Sequence, residues 1–98
     1  MELNRDGDGF LVNINDWSEE VMYEMAKMDG IEITDEIKMY IDKAREMYSA
    51  TGTVPAVRVF AKEFGMDRKA SKLYEVFESG PMKKIAKYGG LPKPTGCV

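Results

Sequence analysis

The chain of 98 residues carries 14 Lys and Arg against 17 Asp and Glu, with one cysteine and no histidine. A lone cysteine excludes an internal disulfide, and the missing imidazoles remove the ordinary zinc constellations and general-base histidine chemistry, so neither metal nor cofactor is expected. An apolar share of 44% with no run near the ~20 residues of a membrane span, and a start without the basic-then-apolar pattern of a signal peptide, point to one globular domain in the cytoplasm.

The net charge of −3 conceals two halves of opposite sign. Up to Thr51 there are 5 basic residues against 13 acidic ones; from Gly52 onward there are 9 against 4. An anionic partner or group therefore suits the second half better than the first, unless the halves simply attract each other across the fold.

In chain order, Asp6-Gly7-Asp8-Gly9 is a turn signal, with Phe10–Ile14 beyond it as a short strand and Glu2–Asn4 as its partner, at most one hairpin. Asp16 and Glu19 resemble a capping box, and Trp17, Val21, Met25 and Met28 recur at helical spacing until Gly30, which predicts a helix from about Ser18 to Met28. Thr34 caps the next helix, with Asp35 and Glu36 at its positive end and Ile37, Tyr40, Ile41, Ala44 and Met47 or Tyr48 as its buried stripe, ending near Ala50. Pro55 suits the first turn of a third helix bearing Ala56, Val57, Val59, Phe60 and Phe64, with Gly65 as a left-handed cap. Asp67 caps a fourth helix carrying Ala70, Leu73, Val76 and Phe77, terminated by Gly80. Pro81 starts a fifth through Met82, Ile85 and Ala86, ended by Gly89-Gly90.

The remainder, 91–98, has no helical periodicity, and its two prolines hold it extended. It reads as an arm on a domain of residues 1–90. The expected fold is mainly α: about five helices in an orthogonal bundle, a small N-terminal β-hairpin and an extended C-terminal arm.

Cys97 is the sharpest chemical feature, because a thiol at the end of an arm is presentable to a partner, whereas a packing cysteine belongs in a core. Eight residues beyond Gly89, at ~3.3 Å each, allow a radius of up to ~25 Å. Lys93 offers a positive charge that lowers a thiol pKa, while the terminal carboxylate of Val98 pushes the other way. The bland alternative is an incidental thiol on a frayed tail. Arg58 and Lys62, one helical turn apart, offer a diffuse anion site for a thiolate or persulfide, or else a solvated basic face.

The run Val59–Tyr74 also resembles a helix-turn-helix with Gly65 in the turn and Arg68, Lys69, Ser71 and Lys72 opening the second helix, which gives a nucleic-acid-binding regulator as an alternative. The overall acidity opposes it, and direct nucleic acid binding is not the expected mode. Met22, Met25 and Met28 read as core filling, and Trp17 as an anchor for the first helix.

The carboxyl end, Gly80-Pro81-Met82-Lys83-Lys84-Ile85-Ala86-Lys87 and then Gly90-Leu91-Pro92-Lys93-Pro94-Thr95-Gly96-Cys97-Val98, resembles the DsrC/TusE family, which includes the gamma component of dissimilatory sulfite reductase and the TusE protein of the tRNA 2-thiolation relay. Asp8-Gly9-Phe10-Leu11, Trp17, Gly30–Glu36, Pro55–Arg58 with Lys62, and Leu73-Tyr74 with Phe77 agree, so nearly the whole chain is covered. The resemblance implies a sulfur carrier rather than a free-standing catalyst: Cys97 accepts sulfane sulfur as a persulfide and passes it on. Its partners are then sulfur-donor and sulfur-acceptor proteins of a relay, with a sulfite reductase as a further candidate and no membrane. A structural gamma component of a sulfite-reductase-like complex is the second reading.

In relatives with two arm cysteines the second pairs with the penultimate one, and the matching position here is Ala86. A disulfide within the chain is therefore impossible, and release of a persulfide falls to a thiol of the partner or a small reductant. Two further departures are Ile37-Lys38 in place of the usual His-Trp and a shorter segment between Lys62 and Leu73.

Overall fold

The computed structural model describes residues 3–67, 69–78 and 80–94. Five helices follow a short 3₁₀ turn at Ile14–Asp16: α1 (Glu19–Met28), α2 (Asp35–Thr51), α3 (Val57–Glu63), α4 (Ser71–Phe77) and α5 (Pro81–Tyr88). Among the described residues no helix is long and apolar enough to cross a membrane.

The mainly helical expectation holds, but the N-terminal hairpin does not form. Among the described residues there is no strand, and the pairing shrinks to a single antiparallel bridge between Arg5 and Leu11. Side chains that compete for the backbone explain this. The Oδ1 atom of Asp6 accepts from the amides of Asp8 (2.9 Å) and Phe10 (3.0 Å), closing a tight turn. Two residues past the bridge, Asn13 caps the 3₁₀ turn by accepting from the Asn15 amide (2.9 Å), so the chain leaves the ladder where the expected strand was to continue. Glu2 lies outside the described residues.

Helix α1 is capped by Ser18, whose Oγ accepts from the Val21 amide (3.1 Å), rather than by Asp16, which belongs to the 3₁₀ turn. Its inward stripe is Val21, Met22, Met25 and Ala26; Met28 is 60% exposed and fills no core. Each fully buried methionine of this kind contributes about 1.5–3 kcal/mol. Thr34 caps α2 as expected, and Gly52, at φ +77°, ends it.

Helix α3 starts two residues later than Pro55 suggests. Ala56 is still extended, and the inward residues are Val57, Phe60 and Ala61, which places Val59 outside at 53% exposure. Helix α4 is likewise delayed. Ala70, in the left-handed region, is its N-cap, and Asp67 reaches forward to accept from the amide (3.0 Å) and hydroxyl (2.9 Å) of Ser71. The helix stops at Phe77, ahead of Gly80. Tyr40 stands edge-on to Phe60 and Phe64 and tilted against Phe77, joining α2, α3 and α4. Burial, helped by its hydrogen bond to the Glu36 carboxylate, pushes the Tyr40 phenol up to about 12.

The hub is α5. Pro81, Met82, Ile85, Ala86 and Tyr88 are all buried, and the helix packs on α1, α2 and α4. Ion pairs Lys43–Glu63, Lys72–Glu36 and Lys93 with Asp6 and Asp8 join the acidic half of the chain to the basic half.

Candidate functional site: the root of the C-terminal arm

Helix α5 ends in a hydrogen-bonded cap that launches the arm. Gly90 is left-handed (φ +68°) and donates to the Lys87 carbonyl (3.4 Å), while Leu91 donates to that of Ala86 (2.9 Å). This is the glycine-dependent Schellman closure, in which the residue after the left-handed one turns back onto the helix. Leu91 is accordingly only 4% exposed and packs with the core.

Two side chains from distant parts of the chain satisfy carbonyls that a helix end otherwise leaves unpaired. The indole Nε1 of Trp17 donates to the Tyr88 carbonyl (2.7 Å), and Nη1 of Arg45, from the middle of α2, donates to that of Gly89. The Arg45 guanidinium also stacks over the Trp17 ring, 3.6 Å from its centroid. Its positive charge lies where the dipole of α5 is negative. Burial lowers the Arg45 pKa, only partly offset by Asp42. A Cβ at position 90 would lie 2.4 Å from Trp17 ring atoms, so the tight approach of indole and backbone needs glycine. Trp17 is thus the clamp of the arm root rather than an anchor within α1.

A second network ties the last turn of α5 to the N-terminal turn. The Tyr88 hydroxyl donates to Asp29 (2.8 Å), Arg5 forks onto both oxygens of Asp29 (3.2 and 2.7 Å), and Arg5 Nε donates to the Gly9 carbonyl (2.7 Å). The Arg5 hydrogen bond, aided by Tyr88, holds the Asp29 carboxyl below its usual range. Burial pushes the Tyr88 phenol well above its usual range, and Asp29 adds to this.

Beyond Leu91 the arm passes this same turn. Lys93 is paired with Asp6 (3.4 Å) and Asp8, and its ammonium lies 5.8 Å from the Phe10 ring centroid. The Asp8 bond raises the Lys93 pKa, and Lys93 in turn lowers that of Asp8.

Arg58 and Lys62 are both exposed on α3 and, with Val59, Met66 and Asp67, line a shallow groove of about 390 Å³. The structure thus brings these two cations together as their spacing predicts, and places Lys93 elsewhere, on the N-terminal turn. Cys97 lies outside the described residues, as do Thr95, Gly96 and Val98. Ala86, at the position of a second cysteine, is fully buried in the core. The helix-turn-helix alternative gains no support, since α4 has seven residues and Lys72 is paired with Glu36; Arg68 lies outside the described residues.

The model of DsrC-like proteins matches residues 1–98. The chain belongs to the DsrC family. Its relatives include the gamma subunit of dissimilatory-type sulfite reductase from Nitratidesulfovibrio vulgaris, 40% identical over 94 residues, spanning 95% of this chain and 88% of the relative. The sulfurtransferase TusE of Photorhabdus laumondii is 35% identical over 103 residues, spanning 100% of this DsrC-family chain and 93% of its own. The crystal structure of the oxidized gamma-subunit of dissimilatory sulfite reductase, DsrC, from Archaeoglobus fulgidus superposes with a TM-score of 0.82 at 36% identity, covering 100% of this chain and 94% of that one.

The residues that sequence reading missed are Arg45, Asp29 and Tyr88, together with the true role of Trp17. Trp17 and Arg45 meet α5 across separations of 71 and 44 residues, which leave no periodic trace. The only local signal was the Gly89-Gly90 pair.

Proposed function

We propose that this chain is a cytoplasmic sulfur-relay protein that carries sulfane sulfur as a persulfide on Cys97. The observation that carries the reading is a family match over residues 1–98 of a chain whose sole cysteine, Cys97, stands in the Gly-Leu-Pro-Lys-Pro-Thr-Gly-Cys-Val motif. The clamped root supports it, since it fixes the origin of the segment bearing the thiol.

In the loading step the Cys97 thiolate attacks the outer sulfur of a donor persulfide. The new bond is Cys97 Sγ–S, the donor's S–S bond breaks, and the donor leaves as a thiolate. In handover an acceptor thiolate attacks the outer sulfur of the Cys97 persulfide and Cys97 departs as thiolate. The zero-valent sulfur moves without change of oxidation level, so neither step needs an external oxidant. With Ala86 in place of a second cysteine, the acceptor thiol comes from a partner or a small reductant. Arg58 and Lys62 serve as the diffuse anion site for a thiolate or persulfide, and Lys93 lowers the thiol pKa when it is free of Asp6 and Asp8. Partners are sulfur-donor and sulfur-acceptor proteins.

A second reading is a gamma component of a sulfite-reductase-like complex, favoured by the 40% identity to a relative of that name. Mass spectrometry after incubation with inorganic polysulfide tests the first. One or more added sulfur atoms on Cys97, absent from Cys97→Ser, are expected; a Cys97→Ser protein that loads equally ends the carrier reading. Stable co-purification with a sulfite reductase that survives Cys97→Ser favours the second.

A further inference from the structure

Helix α5 turns Pro81, Met82, Ile85, Ala86 and Tyr88 into the core, and every position it leaves to solvent is a lysine: Lys83, Lys84 and Lys87. At spacings of one and four residues they share its outer side. Lys38, Lys43, Lys72 and Lys93 are each paired with carboxylates of the chain, whereas among the described residues the three on α5 have no such pair. The acids whose charge reaches Lys83 and Lys87, Asp8 and Asp29, are already bonded to Lys93 and Arg5. Lys84 gives one proton to the Phe77 carbonyl (2.5 Å) and keeps two.

Beside this stripe a half-open recess of about 210 Å³ lies between the α1–α2 connection and the end of α4. One wall is Ile31, Ile33 and Ile37. Ile31 is fixed by the closure of α1, where left-handed Gly30 donates to the Lys27 carbonyl (3.2 Å) and Ile31 to that of Ala26 (2.8 Å), yet it stays 37% exposed. The opposite wall is Val76 and Phe77, tied to α5 by the Lys84 bond, with Glu78 on the α4 side of the rim. Small-molecule pockets start at about 300 Å³, so the recess has room for one large apolar side chain and little else. Its walls are held before any occupant arrives, and the apolar surface left wet there leaves water only when one binds.

We infer that this recess and the lysines of α5 form a docking surface for a partner protein that seats one leucine-sized side chain in the recess and lays neighbouring Asp or Glu residues against Lys83, Lys84 and Lys87. A buried apolar anchor ringed by complementary charge is the arrangement that concentrates binding energy at protein interfaces. Nucleic acid fits worse. Its phosphates would satisfy the lysines but put nothing into the recess, whose exposed walls are aliphatic because Phe77 and Tyr88 are buried, a poor platform for a base. The surface includes none of Arg58, Lys62 and Cys97, so partner recognition is separate from the thiol chemistry.

Amide NMR of the full chain, titrated with the acetylated and amidated pentapeptide Asp-Glu-Leu-Glu-Asp at millimolar concentrations, is expected to shift Ile31, Val76, Lys84 and Tyr88. Replacing the leucine by alanine weakens binding about ten-fold. The neutral peptide Asn-Gln-Leu-Gln-Asn binds about five-fold more weakly and loses the salt dependence of the acidic one. On the protein, Lys83→Gln with Lys87→Gln reproduces the loss seen with the neutral peptide at an unchanged melting temperature, and Val76→Thr, which keeps the shape of the wall but adds a hydroxyl, weakens binding of both leucine peptides alike. Absence of shifts at the recess, shifts that ignore the leucine, shifts centred on Arg58 and Lys62, or an oligonucleotide that moves the lysine amides at lower concentration than the acidic peptide each overturn the docking surface. The readout is binding at α5, so its failure is distinct from that of the carrier reading, which polysulfide loading of Cys97 and Cys97→Ser decides.

Discussion

At the root of the arm Arg45 is half-buried, stacked on Trp17 and bonded to the Gly89 carbonyl, whereas on α3 Arg58 and Lys62 stand exposed beside a shallow groove. Removing a guanidinium from water is unfavourable unless its protons find acceptors, so a half-buried arginine is committed to the groups that hold it. Arg45 therefore serves the geometry of the chain. Arg58 and Lys62 keep their hydration, which is what the proposed anion site requires. Cations of one charge thus divide into a fastener and an exposed, hydrated pair according to burial and partners alone.

The comparison breaks most visibly at Gly90. Gly90→Ala forces a left-handed alanine into the Trp17 ring, and the strain and overlap together are expected to cost about 3 kcal/mol. Thermal unfolding followed by circular dichroism should show a midpoint lowered by about 15 °C. A near-neutral result means the indole moves away easily and the root is not tightly held. Next in size is Arg45→Ala, which leaves the Gly89 carbonyl without its charged donor and the indole without its stacked cation, a loss of about 2 kcal/mol. Arg45→Lys should recover part of it through the hydrogen bond but not the planar stack. The smallest stability effect belongs to Arg58→Ala with Lys62→Ala, within about 0.5 kcal/mol. At low salt, loading from polysulfide should nevertheless slow about three-fold in that pair, because the local positive field is gone. A large melting shift in the double variant would place these cations with Arg45 among the fasteners.

Much of the helical framework was legible because it is written in local chemistry. Thr34 and Gly52 bracket α2, and Gly80-Pro81 and Gly89-Gly90 bracket α5, each through caps that act within one turn. Reading failed where a side chain diverted the backbone. Asp6 and Asn13 turned an expected hairpin into one bridge and a 3₁₀ turn, Ser18 displaced Asp16 as the cap of α1, and α4 began at Ser71 although Asp67 looked like its cap. In the site, the spacing of Arg58 and Lys62 announced a shared face, yet nothing in the sequence revealed that Lys93 would meet Asp6 and Asp8.

By itself the sequence determined the number and order of the helices, the family, and the presence of a lone thiol at Cys97. These follow from periodicity, capping residues and a motif, all read over short stretches of chain. Tertiary structure decided how the arm is held: that Trp17 and Arg45 grip the end of α5, that Leu91 is core, and that Lys93 pairs with the N-terminal turn. Those contacts join residues far apart in the chain, and only packing around α5 brings their atoms within bonding distance.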